Sequence, residues 1–214
     1  MKQVKRVGVL IFSVALIGMF CAFTMKADIG LGPYDANTKL FSELTMIQIG
    51  TVSIVANSIC VFIQLVILKK EFTIFHLGQI PVSLLLGVVI NFTYYTVLGP
   101  LVISSYVGNF LLFLVGIIGC SFSVGMVMVL DIITMALEGA CMAVTKKTGI
   151  KFHVVRQLVD VVCVIFVVSM CLLCGIDMII REGTIISALI FGPSMGIFMK
   201  FQKRVFRKLD LLKD

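Results

Sequence analysis

Charged residues are scarce in this sequence. Asp, Glu, Lys and Arg make up 14% of its 214 residues, whereas a typical globular chain contains about a quarter. Apolar residues make up 60%, and the mean hydropathy is +1.14. Because a soluble domain of this length does not need so much apolar surface, the composition excludes one and predicts a membrane protein.

The sequence also lacks the motifs of common catalytic and cofactor sites. It has no P-loop, no nucleophile elbow and no metal-ligand spacing around its two histidines, His76 and His153, which we interpret as interfacial. The CLLC stretch (171–174) lies in an apolar run without a second pair, so the cysteines are interpreted as small apolar residues. No soluble face interleaves basic and aromatic residues. We therefore predict no enzyme activity, no metal, no cofactor and no nucleic-acid partner.

Six apolar runs are long enough to cross a hydrocarbon core of about 30 Å. They are predicted at about 7–25, 48–68, 78–98, 108–130, 153–174 and 184–201. The first is not a cleaved signal peptide, because its far end reads TMKADIG rather than a small-residue cleavage site and further spans follow. The predicted fold is an all-α polytopic membrane protein with six transmembrane helices.

Basic residues divide unequally between the two sides of these spans. With a cytoplasmic N-terminus, 13 of the 18 basic residues lie in cytoplasmic segments and three, Lys26, Lys39 and Arg181, lie in outer ones. Because positive charge collects on the cytoplasmic side, both termini are predicted to be cytoplasmic. Residues 202–214 are predicted to form a basic amphipathic tail on anionic membrane lipids.

A shift of 103 residues aligns two parts of the chain. DIGLGPYDANTKLFSELTMIQ (28–48) falls on DIITMALEGACMAVTKKTGIK (131–151), and after a two-residue gap GQIPVSLLLG (78–87) falls on GTIISALIFG (183–192). The polar residues that coincide are Asp28 with Asp131, Asp35 with Glu138, and Asn57 with Asp160. These coincidences predict an internal duplication.

Each predicted half has three spans, so the second half enters the membrane from the opposite side. The prediction is a pair of inverted three-span repeats, residues 1–101 and 102–201, which include short broken or re-entrant helices. Secondary transporters use this architecture and place their sites near the midplane between the halves. Channels and proteins of other roles also contain inverted repeats, so the architecture supports transport without establishing it.

Turn-forming residues follow the first span directly. In ADIGLGPYD, Gly30 and Gly32 permit unusual backbone torsions, Pro33 suits a first helical turn, and 34–44 is helical in pattern but too short to span. A half-helix here would offer the positive end of its dipole to an anion. The alternative is an ordinary extracellular loop. The counterpart at 131–148 lacks the glycines and proline, so as a half-helix it would make the halves non-equivalent.

Polar residues within the spans are the strongest candidates for function. Arg156 and Asp160 are four residues apart and share one helical face. Asp160 has three interpretations: a structural ion pair with Arg156, a counter-ion for a substrate, or a protonatable group that couples transport to protons. Asn57 and Asn91 either join helices or contribute to the site. The span glycines are predicted to mark close helix contacts: Gly8, Gly18, Gly116, Gly119, Gly125, Gly192 and Gly196.

The candidate substrate-binding or coupling residues share polarity or an unusual backbone. They are Asp28, Gly30, Gly32, Pro33, Tyr34, Asp35, Asn57, Asn91, Asp131, Glu138, Arg156 and Asp160.

These stretches resemble the YczE/YyaS/YitT-type bacterial integral membrane proteins, most closely the YczE-like branch. The resemblance rests on ADIGLGPYD, TMIQIGTVSIV and GTIISALIFGP, and it covers nearly the whole chain. Such proteins are expected to carry A-x-x-G-x-G-P-(W/Y)-D followed by T-G-x-(S/T)-x-G-T. Met46 stands where the second motif usually has glycine, while Gly149 in the second half retains it. The resemblance implies a protein of the bacterial cytoplasmic membrane.

The leading functional hypothesis is a small transporter that moves or binds a small polar or anionic solute between the halves. Because one chain makes a thin pathway, a homodimer is an alternative to a single working chain. A second hypothesis is a substrate-capture subunit of a multi-protein importer, and a third is a non-transporting accessory protein of other membrane machinery.

Overall fold

The structure, a computed structural model, describes residues 2–212, so Met1 and the last two residues of the predicted tail lie outside the described residues. Within this range the chain is helical and contains no β-strand. The helices are α1 (Lys2–Ala27), α2 (Pro33–Thr45), α3 (Ile49–Leu68), α4 (Ile74–Leu77), α5 (Gln79–Asn91), α6 (Tyr106–Leu130), α7 (Ala136–Thr148), α8 (Phe152–Cys174) and α9 (Glu182–Lys208).

Six segments are long and apolar enough to cross a membrane. They are Lys2–Ala27, Ile49–Glu71, Ile74–Val97, Tyr106–Leu130, Phe152–Cys174 and Glu182–Lys208. A 3₁₀ turn lengthens the second of them, and a π-helical turn lengthens the third. The segments agree with the six predicted spans to within a few residues at most ends. The predicted all-α, multi-pass membrane fold is confirmed.

Ion pairs and hydrogen bonds identify the two ends of the bundle. Lys2 at the start of α1 pairs with Asp210 after α9, and Arg6 Nη2 donates to the carbonyl oxygen of Leu130 at the end of α6 (2.8 Å). We call this end the N-terminal face. At the other end, the opposite face, Arg181 Nη1 donates to the carbonyl oxygen of Asp28 (2.7 Å).

The order of helices in the first half recurs in the second. The sequence α1, α2, α3 and α5 is matched by α6, α7, α8 and α9, and both short helices, α2 and α7, have 13 residues. Asp28 and Asp131 have left-handed backbones (φ 51° and 47°), as do Met46 and Gly149 (φ 58° and 74°). The backbone thus repeats with the predicted 103-residue shift, and α7 forms without the glycines and proline of α2. The inverted relation between the halves stays a prediction.

The centre of the bundle is the contact between α1 and α6. Two glycines of α6 allow the close approach, because a Cβ on Gly116 would lie 3.0 Å from the Thr24 nitrogen and one on Gly119 would overlap the Phe20 ring. In membranes such small residues let helices gain van der Waals contact. Val14 of α1 is fully buried in this core.

The short helix α2 begins inside the bundle. Gly30 leads into it with φ 134°, and a Cβ at Gly30 would lie 2.7 Å from the Thr184 nitrogen, so only glycine fits there. Pro33 occupies the first helical position. Tyr34 then contacts Asn57, near the middle of α3. The helix predicted for 34–44 is confirmed as α2, and its re-entrant position in the membrane stays a prediction.

The last two long helices of each half pack differently. In the first half, α3 and α5 meet where Gly50 and Gly87 face each other. In the second half, α8 and α9 are not packed along each other. Gly192 and Gly196 have no neighbour within 4 Å of an added Cβ, and neither has Gly8. For these three glycines the predicted close contacts are wrong, because no second helix covers them.

The predicted tail is partly helical. α9 continues through Gln202 to Lys208, and beyond it Leu211 is buried in the core. The first seven residues of the segment predicted as a tail therefore extend the last helix.

Candidate functional site

Six of the predicted site residues meet in one cluster between the halves. They come from four helices: Tyr34 and Asp35 of α2, Asn57 of α3, Glu138 of α7, and Arg156 and Asp160 of α8. We call these six residues the polar cluster. Two of the helices belong to each half of the chain.

The two short helices direct their first turns to the polar cluster. Asp35 is the third residue of α2, and Glu138 is the third residue of α7. The N-terminal end of a helix carries a partial positive charge, which stabilises a carboxylate in the first turn. Each of these helix ends is therefore already matched by a carboxylate of the chain itself.

Arg156 holds two of the carboxylates. Its Nη1 pairs with Asp160, four residues along the same helix, and its Nε lies 3.9 Å from Oε1 of Glu138. The side chains of Arg156 and Asp160 retain 28% and 31% of their exposure. The structural ion pair that was one interpretation of Asp160 is present, and Glu138 joins it from α7.

The first half contributes neutral groups at the equivalent positions. Tyr34 donates its hydroxyl to Oδ1 of Asn57 (3.1 Å) and lies 3.8 Å from the Cys60 sulfur. Nδ2 of Asn57 donates to Oγ of Ser53 (3.4 Å). With the 103-residue shift, Ser53 and Asn57 correspond to Arg156 and Asp160. The same helical spacing therefore holds a neutral pair in α3 and an ion pair in α8.

Asp35 has no direct partner among the described residues. Its carboxylate accepts no hydrogen bond and makes no ion pair there, although it lies beside Arg156, Glu138 and Asp160. Asp35 is on α2, outside the six spans, and its removal from water raises its pKa from 3.8 to about 6. Arg156 acts against this shift, while Glu138 and Asp160 add to it. With three carboxyl groups against one guanidinium, the polar cluster holds more acidic than basic groups.

A second polar region lies at the opposite face. It surrounds a cavity of about 640 Å³ between α2 and the linker that joins α8 to α9. The charged residues around the cavity are Asp28, Lys39, Glu43, Asp177 and Arg181. Lys39 is only 9% exposed, pairs with Asp28 and lies 3.9 Å from Glu43.

Sequence analysis missed Lys39, Glu43, Asp177 and Arg181 as site residues. A signal was present for two of them, since Lys39 and Glu43 follow Asp35 at intervals of four and must share its face of α2. One face of α2 therefore runs from the polar cluster, at Asp35, to the cavity, at Lys39 and Glu43.

The remaining predicted residues lie elsewhere. Asn91 joins α5 to α3: its Oδ1 accepts from the Gly50 nitrogen (2.7 Å) and its Nδ2 donates to Oγ1 of Thr51 (3.1 Å). Asp131 is exposed at the end of α6. Asp28 lines the cavity, and the stretch 30–33 shapes the approach to α2 rather than contributing side-chain polar groups.

The polar cluster brings together several kinds of polar group. Its groups are carboxylates, a guanidinium, a phenol and an amide, which bind polar solutes or exchange protons. Within residues 2–212, no three His, Cys, Asp or Glu side chains are arranged to hold a metal ion.

Comparison with known proteins gives one match. Residues 4–200 match the family described as "Family of unknown function (DUF6198)", and the chain belongs to that family. No curated protein and no solved structure matches the chain. The resemblance to the YczE-like branch stays a prediction.

Proposed function

We propose that this member of DUF6198 is a small transporter of the bacterial cytoplasmic membrane that binds and moves a small polar solute at the polar cluster. One observation carries the proposal: helices from both halves bring six polar side chains together between membrane spans. Polar and ionisable groups inside a membrane protein are costly and commonly mark solute or ion pathways. Both termini are proposed to be cytoplasmic, from the distribution of basic residues.

The charge of the polar cluster favours a cationic solute over the anion considered from the sequence. The N-terminal ends of α2 and α7 would suit an anion if they were free. Asp35 and Glu138 already occupy them. A protonated amine would bring positive charge to Asp35, which has no partner within residues 2–212, and would leave the pair between Arg156 and Asp160 intact.

Binding of ammonium probes tests the proposal. We expect putrescine and ethylammonium to raise the unfolding midpoint of the protein in lipid nanodiscs saturably, and acetate to leave it unchanged. Asp35→Asn is expected to abolish the rise while the probe-free midpoint does not fall below wild type, because Asp35 makes no ion pair among the described residues and its burial disfavours the charged form. The matched control is Asp131→Asn, which removes an exposed carboxylate at the end of α6, remote from the polar cluster.

The outcomes separate the alternatives. Uptake of putrescine into proteoliposomes that contain only this chain supports a transporter, whereas binding without uptake favours a substrate-capture subunit of a larger importer. If no probe shifts the midpoint, or if Asp35→Asn responds as wild type does, the polar cluster is not the site. The accessory role would then gain weight.

A further inference from the structure

The region of the cavity at the opposite face has an equivalent region in the other half, where the linker packs against the short helix. The cavity separates Glu43 of α2 from the linker 175–181. The 103-residue shift places Lys146 of α7 at the position of Glu43. There, Lys146 Nζ lies 2.5 Å from Oε2 of Glu71, in the linker that joins α3 to α5. Phe72 of the same linker packs against the apolar cluster of α7.

The long helices next to these linkers show the same difference between the halves. α3 and α5 are in contact, and their linker is folded against α7, whereas α8 and α9 are apart and their linker arches over a cavity. A shift of 105 residues relates Gly87 to Gly192 and Asn91 to Gly196. Gly192 and Gly196 have free space in front of them. This free face of α9 is the one that would meet α8 if the second half were packed as the first is.

At this contact, the glycine and the large polar residue are on opposite helices in the two halves. In the first half, Asn91 of α5 fits over Gly50 of α3. The equivalent residues in the second half are Gly196 of α9 and His153 of α8. If α9 approached α8, a large polar residue would face a glycine in both pairs. The approach would be wider than that of α3 and α5, because a Cβ at Gly50 would overlap the carbonyl oxygen of Gly87 and His153 carries a Cβ at that position.

Like the polar cluster, the region of the cavity has more acidic than basic side chains. Its carboxylates, Asp28, Glu43 and Asp177, outnumber its basic residues, Lys39 and Arg181. Asp35, Lys39 and Glu43 share one face of α2. From the cavity inward, Glu43 comes first, then Lys39, then Asp35. A cation that enters the cavity therefore meets the carboxylates of Asp28 and Glu43. Lys39, which pairs with them, lies between these carboxylates and Asp35.

We propose that this cavity is the open mouth of the solute path, and that the contact between Glu71 and Lys146 is its closed counterpart at the N-terminal face. The inference rests on the proposed function. In the second state α9 packs on α8 and the linker 175–181 closes on α2, while α3 separates from α5 and Glu71 leaves Lys146. Each half then takes the open or closed arrangement that the other half has here, as expected when repeats alternate access to a central site.

Hydrogen–deuterium exchange of the full chain in nanodiscs tests this coupling without any solute. Lys146→Glu replaces the attraction to Glu71 with repulsion. We expect amide exchange in residues 69–78 to rise by about two- to fivefold, the scale of an exposed ion pair. Exchange in residues 175–181 should fall by a similar factor, because closing the cavity accompanies opening of the other face.

Two further variants control the experiment. Lys151→Glu makes the same charge change at an exposed lysine that is not among the residues acting on Glu71, and should alter exchange in neither linker. The double variant Glu71→Lys with Lys146→Glu restores the attraction and should return both linkers to wild-type exchange.

A reciprocal change in the two linkers supports the inference. A rise at 69–78 with no change at 175–181 overturns it, since the ion pair would then act only locally. A rise at both linkers also overturns it, because loss of overall stability has that effect. Reciprocal exchange in a protein that binds no ammonium probe would count against the proposed function and not against the coupling.

Discussion

The two halves of this chain have the same order of helices but different packing between the last two. In the first half, Gly50 and Gly87 allow α3 and α5 to touch, and Asn91 bonds across the contact. In the second half, α9 keeps the glycine at position 192, but α8 lies away from it. A glycine therefore permits a close helix contact without enforcing one. Whether the contact forms depends on where the partner helix is held.

A second difference lies in the polar cluster. The spacing of four residues carries Ser53 and Asn57 in α3 but Arg156 and Asp160 in α8. The neutral pair stabilises the structure through hydrogen bonds, while the ion pair places charge at the interface of the halves. Duplicated backbones can thus hold chemically different groups, and the second half carries most of the charge.

The largest expected effect distinguishes the two glycine environments. A Cβ at Gly87 would overlap the carbonyl oxygen of Gly50 and lie 2.7 Å from Cδ1 of Ile54. Gly87→Ala should therefore lower the free energy of unfolding by about 3 kcal/mol. The matched Gly192→Ala should leave it unchanged or raise it by up to about 1 kcal/mol, because the space is open and alanine favours helix. Unfolding in mixed micelles measures both, and equal losses would contradict the difference in packing.

A medium effect on stability is expected when the neutral pair of α3 is introduced at the equivalent positions of α8. Arg156→Ser alone leaves three carboxylates together and should lower the free energy of unfolding by about 1–3 kcal/mol, allowing for partial solvent exposure. Adding Asp160→Asn reproduces the neutral pair of α3 and should recover stability to within about 1 kcal/mol. The double variant removes one charge of each sign and keeps Asp35, so its putrescine affinity, measured by calorimetry, should stay within about tenfold of wild type. A larger loss would show that the solute contacts the pair of Arg156 and Asp160 directly.

The smallest effect concerns pH and follows from the raised pKa of Asp35, about 6. Putrescine competes with the proton for the ionised carboxylate, so its affinity should fall as pH drops through about 6. The limiting slope is about tenfold per pH unit. Stability changes in the opposite direction. The contribution of Asp35 is greatest below its ordinary value of 3.8 and is lost as pH rises through about 6.

Asp35→Asn is the control for the pH dependence. Glu138, Arg156 and Asp160 also face Asp35 and contribute their own charge. The variant should lose the component near pH 6 in the unfolding midpoint. If that component persists, it belongs to a neighbouring carboxylate.

Periodicity and composition predicted most of the helices, because membrane spans require long apolar runs whatever their neighbours are. The 103-residue shift likewise anticipated that Asp35 and Glu138 are equivalent, and both were found in the first turn of a short helix. Asn91 was harder to interpret. Its polar side chain suits a site and a helix contact equally, and only the position of Gly50 assigns it to a contact.

By itself, the sequence determined a six-span helical membrane protein with repeated helix order and polar residues within its spans, since hydropathy and local spacing act along the chain. Only the tertiary structure decided that Asp35, Glu138 and Asp160 share a cluster, that Lys39 borders a cavity, and that α9 lies apart from α8. These features depend on contacts between helices distant in sequence. In a membrane such contacts follow from the fit of small residues and polar groups rather than from hydrophobicity, which is similar on every face.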